Sequence, residues 1–343
     1  MKKIGNVLYV TTSDAYLALD GENVVLRNDN TVSMRLPLHN LESIVCFNYP
    51  GVSPGLMGAC ADRHVGLAFI KPNGRFLARV TGRTQGNLLL RKRQYEVSEN
   101  EDICTSIASS CLLGKVANSR KVIERALRDH MLLVDVPRLQ SASAYLKETL
   151  AAISNGASVE TLRGLEGNAA KRYFGVFGEL ILHQREDFAF DERSRRPPLD
   201  PMNALMSFLY TLLTYDVASA LETVGLDPYV GFLHTDRPGR PSLALDMMEE
   251  LRPVFADRLA LSLVNRKQVK GRGFIRKESG GVLMDDETRK EVLTAWQKRK
   301  QDEIVHPYLK ERIQFGLIPH VQAMLLARHL RGDIDAYPPF FWD

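Results

Sequence analysis

Two hydrophobic periods divide the chain. Up to residue 85 the apolar positions fall in short runs rich in β-branched and aromatic residues: NVLYVTT, AYLALD, ENVVLR and TVSMRLPL. Turn pairs such as Asp20-Gly21, Asp29-Asn30 and Asn73-Gly74 separate several of these runs, so each reads as a strand. ESIVCF, GLAFI and RFLARV read as further strands, and the first two flank a segment whose opening Ser53-Pro54 predicts a short helix. Past residue 100 the period lengthens to that of an amphipathic helix. CTSIASSCLLGKVANSRKVIERALRDH, SASAYLKETLAAI and ASVETLRGLEGNAAKRYFGVFGELIL each carry an apolar stripe at that period. So do DPMNALMSFLYTLLTYDVASALETV, SLALDMMEELRPVFADRLALSLV, DDETRKEVLTAWQKRKQDEI and IPHVQAMLLARHLRGD. The expected class is therefore α+β: a small β-rich domain over 1–85, a charged connection over 86–100 and an all-α domain over 101–343.

Composition narrows the class further. The 343 residues are 45% hydrophobic and 25% charged, ordinary values for a globular protein with a sizeable core. A net charge of only +4 means that any affinity for nucleic acid must come from local clustering of bases. The four cysteines show neither a C-x-x-C pair nor zinc spacing, which fits free thiols in a reducing cytoplasm. The apolar run near the start breaks at Thr11-Thr12-Ser13-Asp14, too soon for a signal segment or a membrane span.

Chemistry concentrates between Gly225 and Pro253. There a turn-rich loop carrying His234, Arg237 and Arg240 leads into a helix bearing Asp246, Glu249 and Glu250. Asp246 and Glu249 are three residues apart and so are neighbours on one helix face, where like charges repel unless a cation stands between them. Ser242 is the expected N-cap of that helix, and Glu250 is expected at the surface. A second oddity lies earlier. Glu166 falls inside the stripe Leu162, Leu165, Ala169, Tyr173, Val176, Phe177, Leu180, so its carboxylate must be paired, protonated or bound to a cation. Gly164 and Gly167 beside it leave room for a close approach.

Three segments, LRGLEGNAAKRYF, RRPPLDPMNALMSFLYTLL and LDPYVGFLHTDRPGRPSLALDMMEELRP, together resemble the integrase subunit of CRISPR adaptation, the metal-dependent DNA endonuclease that inserts new spacers into CRISPR arrays. The ending HPYLKERIQFGLIPHVQAMLLARHLRGDIDAYPPFFWD is similar to the compact, type I-C-like form of that family. The resemblance implies metal ligation by Glu166, His234 and Glu249, with Asp246 a further catalytic residue close to the ion, and Mg²⁺ or Mn²⁺ as cofactor. Two carboxylates and an imidazole suit either ion, and zinc accepts the same set. The resemblance also implies double-stranded DNA (protospacer and CRISPR repeat) as substrate and a homodimer formed through the β-rich domain. A small ferredoxin-like partner would complete a heterohexamer. Candidate backbone-binding residues are Arg195, Arg196, Arg237, Arg240, Lys267 and Lys270, with Arg193 in the first of these clusters. Two other readings keep the same residues: a stand-alone metal nuclease on branched DNA, and a non-catalytic DNA-binding scaffold in which Glu166 is a core ion pair.

Overall fold

The structure is a computed structural model that describes residues 6–12, 15–28, 31–47, 50–71, 76–83 and 88–342. The turns expected at Asp29-Asn30 and Asn73-Gly74 lie outside those residues, as do Ser13-Asp14 and the first two residues of the expected connection. The chain divides into two compact units, residues 1–85 with 289–302, and residues 86–288 with 303–343.

In the first unit the β-branched runs become strands: β1 (Asn6–Val10), β2 (Tyr16–Asp20), β3 (Asn23–Asn28), β4 (Thr31–Pro37), β5 (Leu41–Phe47) and β6 (Gly51–Val52). Helix α1 (Pro54–Asp62) follows, then β7 (Gly66–Ile70) and β8 (Phe76–Val80). Asp20 pairs with Asn23 across a tight hairpin in which Gly21 takes φ +57°, a left-handed conformation that costs glycine nothing. The strands form two four-stranded sheets, ordered β1-β5-β7-β8 and β4-β3-β2-β6. The first is parallel through β1, β5 and β7, which is why a helix is needed between β6 and β7 to return the chain. Ser53 caps α1 by accepting from the Leu56 N–H, with Pro54 in the first turn. Leu17, Val24, Leu38, Ile44, Leu56, Cys60 and Leu67 close the core.

The second unit starts with a correction. The charged stretch read as a connection is helix α2 (Leu88–Ser98). Its apolar positions are too few for a stripe, but Leu90, Gln94 and Val97 form a buried face at helical spacing. Gln94 is the reason this works. Its amide donates to the Asp227 and Val230 carbonyls and accepts from the Asp227 N–H, so a polar residue is fully satisfied inside. Helices α3 (Glu101–Asp129), α4 (Val136–Ser154), α5 (Val159–Phe174) and α6 (Pro201–Val224) follow, capped by Asn100, Asp135, Ser158 and Asp200. Helix α5 stops at Gly175 and not at Leu182, and Phe177–Leu180 form a separate 3-10 turn. Helix α6 is long and apolar enough to pass for a membrane span, but Met202, Leu205, Leu209, Leu213 and Leu221 are buried within the protein.

The run 242–264 is also broken. Helix α7 (Ser242–Glu249) ends before one wide π turn at Pro253–Asp257, and α8 (Arg258–Asn265) continues from it. Pro253 has no N–H to donate one turn back, so the helix cannot pass through it in register. Ser242 does not cap α7. The Leu243 and Ala244 N–H groups are instead satisfied by the Pro228 carbonyl, and the Ser242 hydroxyl donates to the Thr235 carbonyl. A hairpin of β9 (Phe274–Arg276) and β10 (Val282–Met284) follows. Helix α9 (Asp286–Gln301) comes next, then a hairpin of β11 (Glu303–Val305) and β12 (Arg312–Gln314), and α10 (Ile318–Arg331). From Arg289 onward α9 belongs to the first unit, not to the helical one. There its Arg289 guanidinium lies 5.7 Å from the Phe47 ring, and Val292, Leu293 and Trp296 are buried.

Candidate metal centre

Three elements of the helical unit deliver acids and an imidazole to one place, and a buried lysine marks it. Lys115 of α3 is only 10% exposed at its side chain, and its ammonium pairs with Glu166 of α5 and, at 2.7 Å, with Glu249 of α7. The carboxylate inside the apolar stripe of α5 is thus a half-buried group facing a cation, one of the options its position left open. His234 Nε2 lies 3.9 Å from a Glu249 oxygen, and Arg252, one turn beyond, holds that same oxygen at 2.9 Å. Burial alone would push Glu249 up, but Arg252, Lys115 and His234 outweigh it and hold the carboxyl well below its usual range. Glu249 is therefore a permanent anion.

Asp246 does different work from the rest. Its carboxylate is buried and accepts from the N–H groups of Phe232, Leu233 and His234 and from His234 Nδ1 at 2.6 Å. Those four bonds use all its lone-pair directions, so no acceptor is left to orient a water or to take a proton. Asp246 folds the His234 loop onto α7 and, by holding Nδ1–H, turns the Nε2 lone pair towards Glu249. Gly231 makes this possible: a Cβ there would stand 2.7 Å from the Asp246 carboxylate and 2.8 Å from Ser242.

Glu250, expected at the surface, is wholly buried. It accepts from the Tyr337 hydroxyl at 2.5 Å, from Gln322 at 3.0 Å and from the Phe340 N–H at 2.7 Å. Burial raises it to about 7 although all three bonds act against the shift. Asn118 donates to the Glu250 and Phe340 carbonyls and accepts from the Trp342 N–H, tying α3, α7 and the C-terminal segment together. A side chain at Gly114 would meet Glu250 Cβ at 2.6 Å, so α3 and α7 touch at a glycine one residue from Lys115.

The basic residues divide by environment. Arg240 is pulled below its usual value first by partial burial and then by Arg237, Arg196 and Arg163, against the opposing pull of Asp246. The charges of Arg237, Arg196 and Arg163 are therefore all felt at Arg240. Arg163, which the sequence did not single out, donates to the Leu233 carbonyl next to the histidine. Arg193 leaves the set of phosphate-gripping candidates. Its guanidinium is tied to Asn203 and Ser207 and lies 5.2 Å from the Tyr210 ring, whose other neighbour is Arg252, also at 5.2 Å. Tyr210 and Tyr173 both donate to Asp257. Burial lifts that carboxyl to about 6 against the pull of Tyr210, Arg193, Tyr173 and Arg252. Arg195 is exposed and lines one cleft with Lys115, Ser119, Tyr210, Arg252 and Asp257. Lys267 and Lys270 stand exposed on a separate turn after α8.

Among the described residues no three His, Cys, Asp or Glu side chains stand close enough, as placed, to hold a metal ion. The donor chemistry nevertheless fits one. Two carboxylates and an imidazole nitrogen converge, and an ammonium lies between the carboxylates where a cation would be needed. Lys115 and Arg252 carry the same signal in the sequence as Glu166, a charge inside an otherwise apolar helical stretch.

A profile of the CRISPR associated protein Cas1 matches residues 8–298. The chain belongs to the Cas1 family. CRISPR-associated endonuclease Cas1 2 of Rhodospirillum rubrum is 55% identical over the full length of both chains, and CRISPR-associated endonuclease Cas1 1 of Chlorobaculum tepidum 49% identical, again over both whole chains. The fold agrees with solved Cas1-type structures. A CAS1 protein from Thermotoga maritima superposes with TM-score 0.80 at 24% identity, covering 98% of this chain and all of that one. A casposase bound to its integration product superposes with TM-score 0.84 at 19% identity, over 98% of this chain and 94% of that one. The β-rich unit followed by a mostly helical one is thus the Cas1 arrangement, and this Cas1 is an endonuclease of the CRISPR system.

Proposed function

We propose that this Cas1 is a metal-dependent double-stranded DNA endonuclease and integrase that joins new spacers into CRISPR arrays by transesterification at repeat boundaries. The observation that carries this reading is the meeting of Glu166 and Glu249 at Lys115 with His234 beside Glu249, while Arg163, Arg196 and Arg237 act on Arg240, six residues after the histidine. Glu166, His234 and Glu249 are the residues to hold Mg²⁺ or Mn²⁺, which when bound polarises the scissile phosphodiester and stabilises the departing 3′-oxygen. In the reaction an incoming 3′-hydroxyl forms a new P–O bond as the P–O bond to the repeat's 3′-oxygen breaks, and the hydroxyl proton ends on that oxygen.

The protein's own contributions are geometric and electrostatic. Asp246 fixes the imidazole so that Nε2 faces the site, and Arg252 keeps Glu249 ionised and in place. Arg237 and Arg240, with Arg163 and Arg196, grip backbone phosphate without reading bases, as an enzyme accepting any spacer sequence requires. Arg195, Lys267 and Lys270 extend that grip along the duplex. A homodimer and a small ferredoxin-like partner, together a heterohexamer, complete the working assembly in this reading. Two solved structures with this fold are Cas6-RT-Cas1–Cas2 complexes, in line with a Cas partner. A cytoplasmic location fits four free, buried cysteines, of which burial pushes Cys46 up to about 12 and Cys60 to about 11.

The scaffold reading has one observation in its favour, the Lys115–Glu166 pair itself. The test is strand joining with the small partner, short duplex DNA, Mn²⁺ and a supercoiled repeat-containing plasmid. Glu166→Ala should stay folded by circular dichroism and give no joined product. Joining at the wild-type level sinks the ligand assignment; an unfolded variant supports the scaffold; cut but unjoined plasmid with the wild-type chain supports a stand-alone nuclease.

A further inference from the structure

Lys115 sits where a cation is wanted, in a protein whose reading requires a different cation there. We propose that Lys115 is a built-in competitor for the divalent ion: its ammonium bridges Glu166 and Glu249 in the metal-free protein and leaves when the ion binds. The inference rests on the ligand assignment above.

Without a positive charge between them, Glu166 and the buried Glu249 would stand as two neighbouring carboxylates, an arrangement that like-charge repulsion opposes. Arg252 pairs with one Glu249 oxygen, but among the described residues Lys115 alone forms an ion pair with both acids. A dication between those acids would face the Lys115 ammonium at contact distance, and the two cannot share the position. Lysine suits this role where arginine would not. It is a single point charge on four rotatable carbons, and the structure shows it hydrogen-bonded to Glu166 and ion-paired with Glu249. An exit is at hand as well. Lys115 lines a cleft together with Ser119 and Asp257, residues whose oxygens can accept from a displaced ammonium.

The consequence is that metal affinity is set below what the ligands alone would give, because binding must break the lysine bridges. Free Mn²⁺ counted by electron paramagnetic resonance, with the full-length chain and no DNA, reads this without any activity. Lys115→Met, close in length and uncharged, should lower the Mn²⁺ Kd roughly tenfold or more, the scale of one screened unit-charge contact. A Kd unchanged or raised in Lys115→Met overturns the inference. Glu166→Gln separates it from the reading beneath: if Glu166→Gln binds Mn²⁺ like the wild type, the ligand assignment itself fails and the inference with it. If Glu166→Gln loses the ion while Lys115→Met shows no gain, only the competitor role is lost. Should Lys115→Met not fold, the wild-type chain decides through acetylation of lysines read by peptide mass spectrometry. Lys115 should be protected without metal and modified several-fold faster with saturating Mn²⁺. Equal protection in both states refutes its displacement.

Discussion

Glu249 and Glu250 are adjacent and both buried, yet their surroundings send them in opposite directions. Arg252 and Lys115 keep Glu249 ionised, whereas Glu250 has only neutral donors and rises to about 7. Asp246 shows the same dependence on partners: its oxygens meet N–H groups alone, and its task is to hold His234. Asp246→Asn keeps the size but turns two of the four accepting directions into donors. It should cost about 1–3 kcal/mol in urea unfolding and weaken Mn²⁺ binding by about 10–100-fold. If metal affinity is unchanged, His234 is oriented by something else. Asp257 predicts a pH effect. Its carboxyl moves from an unfolded value of 3.8 to about 6, so between those values the folded state binds the extra proton. The stabilisation is complete below the unfolded value and is lost as pH rises through about 6. It is on the order of 3 kcal/mol. Asp257→Asn should flatten that slope in the urea midpoint between pH 4 and 6; an unchanged slope would assign it to other groups.

At the scale of elements, local patterns were legible and distant partners were not. The turn at Asp20-Gly21, the Ser53 cap with Pro54, and the start of α5 after Ser158 depend on neighbours in the chain, and each was readable there. Glu166 on an apolar face was readable as an anomaly, and the metal-ligand candidates all lie in the helical unit close to Lys115 or to one another. Glu250 was not readable, because what buries it, Gln322, Tyr337 and Phe340, lies 72, 87 and 90 residues away. Helix α2 escaped notice for a similar reason: Gln94 counts as polar until the Asp227–Val230 loop is folded against it. In α5 the glycines carry a sharper prediction. Among the described residues, nothing beyond the adjacent residues and the backbone of α5 itself comes within 4 Å of where a Cβ would stand at Gly164 or Gly167. Gly164→Ala should therefore stabilise the helix by about 0.5–1 kcal/mol in thermal or urea unfolding. A drop in DNA binding alongside that gain would show that the open face is where the duplex approaches Glu166; destabilisation would contradict the open geometry.

At the scale of the molecule, a net charge of +4 hides strongly uneven local charge. Arg163, Arg196 and Arg237 act together on Arg240 and are exposed, while Arg193 is locked against Tyr210. Replacing Arg237 and Arg240 together by Ala should lower the slope of log affinity against log salt for duplex DNA by about 2, uniformly across sequences. Arg193→Ala should leave that slope alone and lower the unfolding midpoint. The opposite pattern would move the DNA path away from His234.

Helix α9 adds a matter of timing. Synthesis delivers the two sheets of the first unit early, yet residues 289–302 of the same unit leave the ribosome only after nearly all of the helical unit has been made. The β-rich unit therefore waits, part of its surface uncovered, for a helix that carries Arg289 to Phe47 and buries Trp296. A nascent chain released before residue 302 would lose the finish of its first-made half, so a premature stop between residues 289 and 302 is read out at the beginning of the fold.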